Sequence, residues 1–192
     1  LLLAIPVIFA PEIRRALECG DAFALLYVDL DKFKALNDTK GWDVGNRVIL
    51  AAARVIDEAV TRFAGPGGFV GHIGGDDFIF VIPSARIGDV CGEILSVFDT
   101  LIPLQYNDQD RRAGYFFGKD RRGQLHRVPL MTLSIGIVTN RNRKFAHPAQ
   151  VSELATGIKS YAKTLPGSVF VVDRRHAPES DSPAGGEGRD KR

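Results

Sequence analysis

Cysteine is nearly missing from this chain: Cys19 and Cys91 are the only two in 192 residues, with no CxxC pair and no zinc-like spacing to histidine. A disulfide framework and a thiol redox centre are therefore excluded, and the reduced thiols expected instead fit a cytoplasmic setting. Methionine is scarcer still. The one methionine is Met131, so no initiator opens the sequence, which reads as a segment of a longer protein with sensory or output domains fused outside it. Long apolar runs are lacking too. Residues 1–10 are apolar but are interrupted by Pro6 and reach about half the length needed to cross a bilayer. No basic stretch precedes them, which excludes a signal peptide as well as a membrane segment. Charge of one sign is not in excess: 25 Lys and Arg against 23 Asp and Glu leave a net +2, too little to imply a nucleic-acid partner. Part of that excess, Arg174, Arg175, Arg189, Lys191 and Arg192, lies near the C-terminus and reads as solvated chain ends. The four histidines show no metal spacing, and Ser134 has no partners for a hydrolase triad.

What the chain does have is a core. Apolar residues make up 45%, enough for one globular domain over residues 21–176. Residues 1–20 form a lead-in, and residues 177–192, rich in Pro, Gly, Ser and charge, predict a disordered tail. Residues 22–28 are a short continuous apolar run, the pattern of a strand buried on both faces, ending at Asp29. From Val44 to Phe63 apolar residues recur at helical spacing, and the glycine-rich residues 65–68 stop that helix. A second helix is predicted from about Ala85 to Leu101, a strand over 130–139, a third helix over 148–165 and a last strand over 168–172. Residues 103–129 read as an inserted, charged and exposed hairpin arm. The order βαββαβ predicts an α+β fold, a mostly antiparallel sheet flanked by helices.

Two segments carry chemistry. Gly74-Gly75-Asp76-Asp77-Phe78 lies between two strand-forming runs, a turn whose glycines let an anionic ligand approach the backbone while two carboxylates stand beside it. Upstream, Asp29-Leu30-Asp31 ends the first strand and is followed by Lys32-Phe33-Lys34 and Asn37-Asp38. If the two strands are neighbours, Asp29 and Asp76 converge on a hard cation such as Mg²⁺ or Mn²⁺, with the Leu30 carbonyl as a further oxygen ligand. Asp31 reads as structural, and Phe33 and Phe78 as core. Trp42 is placed beside the base pocket, with packing and stacking both open.

The two segments together resemble the GGDEF domain of diguanylate cyclases, with a Gly-Gly-Asp-Asp-Phe signature, and the resemblance covers roughly residues 3–174 apart from the arm. It implies a nucleotidyl-cyclase-like core and a part in bacterial cyclic di-GMP signalling. Two such domains would pair as a homodimer, each holding one GTP, and each ribose 3′-hydroxyl would attack the partner's α-phosphate to give cyclic di-GMP and two pyrophosphates. Carried over position by position, Asp29, Leu30, Asp76 and Asp77 become metal ligands. Asp76 and Asp77 become the catalytic acids. Phe33, Lys34, Asn37, Asn46, Gly74, Gly75 and Lys163 become nucleotide contacts, with Asn37 on guanine and Lys34 and Lys163 on the triphosphate.

The departures from the pattern are specific. Asn46 stands where the family has an Asp; an amide offers guanine N1–H and N2–H one acceptor and one mismatched donor, so guanine preference is weakened. Asp77 replaces a Glu one methylene longer, and a displacement of about 1 Å reduces rate on the order of a hundredfold. Gly167 occupies the place of a phosphate-binding Arg. Gly65 to Gly68 occupy the place of the family's product-inhibition motif, so feedback there should be absent. These readings leave two functions open: a domain that binds GTP or another purine nucleotide with Mg²⁺ and has weak or no cyclase activity, and a fully active cyclase working as a homodimer.

Overall fold

The computed structural model of the protein describes residues 4–119 and 122–175. Five strands form the main sheet in the order β2-β3-β1-β6-β7, with β1 at Phe23–Leu30, β2 at Phe69–Gly74, β3 at Asp77–Pro83, β6 at Leu133–Thr139 and β7 at Val169–Val172. All neighbours are antiparallel except β6 and β7, which run parallel. Every residue of β1 is buried. That is the price of a central place in a sheet covered by helices on both faces, and it explains why the strand reads as a continuous apolar run rather than an alternation.

Alternation nevertheless decides what each side chain meets. One face of β1, with Ala24, Leu26, Val28 and Leu30, joins Phe78, Phe80 and Ile82 of β3 in the larger core. Helix α3 (Trp42–Ala64) covers it with Val48, Ala52, Val55, Ile56, Ala59 and Val60, spaced at three and four residues as one helical face requires. Helix α4 (Ile87–Leu101) adds Val90, Ile94 and Phe98. The other face, with Phe23, Leu25 and Tyr27, meets Ile13 of α1 (Ala4–Cys19) and Val151 and Ala155 of α6 (Pro148–Ala162) in a smaller core. Asp29 continues that second face, so its carboxylate lies on the α6 side of the sheet.

The expected elements form, with shifts at their edges. The first strand, whose apolar run ends at Asp29, runs on to Leu30, so Asp29 is inside the ladder. Helix α3 begins at Trp42, α6 ends at Ala162, and Trp42 is 74% exposed, so it is not part of the core. The arm differs more. It contains a short helix, α5 (Asp108–Ala113), before the hairpin of β4 (Tyr115–Lys119) and β5 (Leu125–Pro129). The hairpin was expected to be exposed, but its alternation gives it a buried side: Phe116 and Val128 pair across it and join the larger core. Tyr106 seals the junction, accepting the Met131 N–H at 3.1 Å. The arm's tip at 120–121 and the tail from 176 lie outside the described residues.

Cys91 is fully buried in α4, and burial pushes its thiol up to about 12, whereas Cys19 is exposed. Thiolate is the reactive form. A disulfide reagent at neutral pH should therefore titrate one thiol in the folded protein and two in denaturant; two fast thiols in the folded state would contradict this packing.

Candidate functional site

Antiparallel register sets Asp29 of β1 directly opposite Asp77 of β3 on one side and Ser134 of β6 on the other. Both aspartates are buried, at 5% and 6% exposure. Like charges placed across a strand pair repel, and burial removes the water that would screen them, so the pair needs cations close by. Helix α6 delivers two. Lys159 Nζ lies 2.7 Å from Asp77 Oδ1 and 3.3 Å from Asp29 Oδ2, and Lys163 Nζ lies 2.7 Å from Asp29 Oδ1. Four residues apart at the end of one helix, the two lysines share a face.

Lys159 is itself buried, at 8% exposure, and its ammonium stands 3.8 Å from the centroid of the Tyr27 ring, within cation–π range. Burial opposes its charge, but the Asp77 hydrogen bond and the charges of Asp29 and Asp77 outweigh this and hold its pKa above the ordinary lysine value. The same burial raises the Tyr27 hydroxyl. Sequence reasoning did not single out Lys159. The available signal was its spacing from Lys163, since a residue four positions earlier must point the same way.

The turn between β2 and β3 is built by its glycines. Gly74 and Gly75 have φ of 135° and 61°, values side-chain-bearing residues rarely adopt. His72 Nε2–H donates to the Gly75 carbonyl at 3.0 Å, and its ring stacks on Phe78 at 4.5 Å. The Leu30 N–H donates to the Asp76 carbonyl at 3.2 Å, which ties the turn to the end of β1. Asp76 itself lies in the turn. Burial, and then the Asp29 charge, raise its pKa. The residue aligned with Asp29 is thus Asp77, one position later than the strand-end reasoning paired it. Among the described residues no three acidic, histidine or cysteine side chains form a metal-binding group. Asp31, read as structural, accepts from Thr132 Oγ1 at 2.9 Å and Ser134 Oγ at 2.8 Å.

Past β1 the chain turns through Lys32, at φ 67°, into α2 (Phe33–Lys40), which starts without a side-chain cap. Phe33 is buried in the larger core, which makes its side chain part of the packing. Lys34 reaches Asp38 at 2.7 Å on an exposed helix face, not the carboxylates. Asn37 is brought against the first turn of α3: a Cβ on Gly45 would fall 1.7 Å from Asn37 Oδ1, and that buried oxygen accepts no hydrogen bond. Asn46 follows Gly45 and is exposed.

A family model described as "Diguanylate cyclase, GGDEF domain" matches residues 5–110. The chain belongs to the GGDEF-domain family. Among curated relatives, diguanylate cyclase DosC of Escherichia coli (strain K12) is 35% identical over 81 residues, 42% of this chain and 17% of that protein. The signaling protein YkoW of Bacillus subtilis (strain 168) is 31% identical over 72 residues, 38% of this chain and 8% of that protein. The matched segment is thus a small part of either relative. Solved GGDEF domains share the fold. The active GGEEF domain of a diguanylate cyclase from Vibrio cholerae superposes with a TM-score of 0.61 at 16% identity, covering 89% of this chain and 95% of that one. The GGDEF domain of DgcB from Caulobacter crescentus, solved in complex with c-di-GMP, gives 0.58 at 20% identity and covers 85% of each chain. The α+β fold expected from the order of elements is the fold found.

Proposed function

We propose that this GGDEF domain binds GTP, or another purine nucleotide, together with Mg²⁺ or Mn²⁺, and has weak or no diguanylate cyclase activity. The carrying observation is the buried, cross-strand pairing of Asp29 and Asp77 beside the Gly74-Gly75 turn. Two carboxylates and the adjoining Leu30 backbone are hard oxygen donors, the kind that Mg²⁺ takes. When bound there, the ion would neutralise phosphate charge. The chain's own residues do the rest. The N-terminus of α2 starts without a side-chain cap, so its first N–H groups suit an anion such as a phosphate. Lys163, half-exposed beside Asp29, is within the same corner. The Asn37 oxygen, buried against Gly45 and accepting no hydrogen bond, would become an acceptor for a purine N–H on a turn of its side chain, and Asn46 stands next along α3.

Reduced activity is supported by the aspartate at 77 and by Lys159, which engages it at 2.7 Å. Feedback through residues 65–68 is not expected: Gly68 lies so close to Val60 that a Cβ would meet its Cγ1 at 2.4 Å, and Arg62 is paired with Glu93 at 3.1 Å. The alternative, an active cyclase homodimer, draws on the acids retained at positions 29, 76 and 77.

Calorimetric titration tests the proposal. GTP should bind with Mg²⁺ present, and Gly45→Ala, whose methyl would displace Asn37, should weaken it roughly tenfold, about 1.4 kcal/mol. No binding by the wild-type chain would overturn the nucleotide assignment. Chromatography after incubation with GTP and Mg²⁺ or Mn²⁺ separates the two readings: ready formation of cyclic di-GMP favours the active homodimer.

A further inference from the structure

Lys159 places a positive charge where two carboxylates of a metal-binding corner converge. Its Nζ contacts both Asp77 (2.7 Å) and Asp29 (3.3 Å), and Lys163 takes the other oxygen of Asp29. Three contacts from two ammonium groups already satisfy the charge of both aspartates. A divalent ion entering between them would meet an ammonium at contact distance and would be repelled by it, with little water to screen the repulsion. Lys159 cannot swing away cheaply. It leaves α6 at a point where the helix backbone rests on Gly136 of β6, so close that a Cβ there would lie 2.3 Å from the Lys159 nitrogen, and its ammonium is backed by the Tyr27 ring.

We propose that Lys159 is a built-in cation that competes with divalent metal for the Asp29–Asp77 pair, so that free metal binds poorly and enters only with a triphosphate that draws the lysines off. This rests on the metal-facing role of Asp29 and Asp77 proposed above and adds an order of binding to it. The anionic triphosphate is what changes the balance. Its charge offers Lys163 and Lys159 new partners as the metal takes their place on the carboxylates, so metal and nucleotide each raise the other's affinity, as linkage requires.

The test is Mn²⁺ binding without nucleotide, read by electron paramagnetic resonance of the free ion. Lys159→Met keeps the unbranched stem, one atom shorter, and removes the charge; it should bind Mn²⁺ at least tenfold more tightly than wild type, about 1.4 kcal/mol. Lys159→Arg keeps the charge and should stay weak. Thermal unfolding gives a second readout, because Lys159→Met leaves the Asp77 carboxylate uncompensated and makes the folded state depend on metal: its midpoint should rise with Mn²⁺ while that of wild type should not. Equal Mn²⁺ affinity in wild type and Lys159→Met would overturn the proposal. So would a Lys159→Met chain that stays unfolded with and without Mn²⁺, which would make the lysine a structural tie that metal does not replace. Loss of GTP binding in Lys159→Met with no gain in Mn²⁺ affinity would make it a phosphate contact instead. Failure of the nucleotide assignment shows separately, as absent GTP binding in wild type.

Discussion

Asp77→Ala is expected to destabilise the domain by about 3 kcal/mol, the low end of the cost of breaking a buried ion pair. The substitution removes the nearer partner of Lys159, an ammonium 8% exposed, and leaves it Asp29 at 3.3 Å, a carboxylate already shared with Lys163. Relief of the Asp29–Asp77 repulsion offsets part of the loss, which keeps the figure at the low end. Asp38→Ala is the matched control: its partner Lys34 has an 86% exposed side chain, and a pair so exposed contributes little. Urea denaturation of the two variants decides it, and equal losses would mean that the site lysine is not held by Asp77. The effect should persist across neutral pH. A lysine whose folded pKa is raised contributes stability in full below its unfolded value, and that stability is lost only as pH climbs through the raised folded value, above 10.5.

The sheet, the helices α3, α4 and α6, and the corner where the signature turn meets the first strand were legible because each rests on a short-range pattern, whereas α1, read as a lead-in, and α2 were not predicted as helices. Residues 22–28 had to be buried on both faces, and the apolar spacing of α3 had to lie on a sheet. Which aspartate faces Asp29 was not legible, because it depends on a strand boundary: with the turn at Gly75 and Asp76, the first residue of β3 is Asp77, and a shift of one residue exchanges faces. The buried side of the arm was hidden by the charge around it, since Phe116 and Val128 become partners only through the hairpin register. Lys159 was hidden for a third reason. A lysine in an amphipathic helix reads as solvated unless its spacing from Lys163 is used, and the close approach of α6 to β6 turns it inward.

That approach depends on Gly136, and Gly136→Ala is expected to cost about 3 kcal/mol, the upper part of the range for overpacking. Opposite Tyr27 in the ladder, Gly136 lies under α6. An added Cβ would fall 2.3 Å from the nitrogen and 2.7 Å from the Cα of Lys159, and 2.8 Å from the carbonyl oxygen of Ala155. These are backbone atoms, which cannot rotate aside as the tip of a side chain can, so the whole helix has to lift. Lifting α6 withdraws Lys159 and Lys163 from the aspartates, and the damage should therefore be shared with the ion-pair network. In a double-mutant cycle, Asp77→Ala should cost clearly less in the Gly136→Ala background than in wild type, with a coupling on the order of 1 kcal/mol. Strictly additive losses would show that the helix adjusts without releasing its lysines, and that the Asp29–Asp77 corner is set by the strands alone.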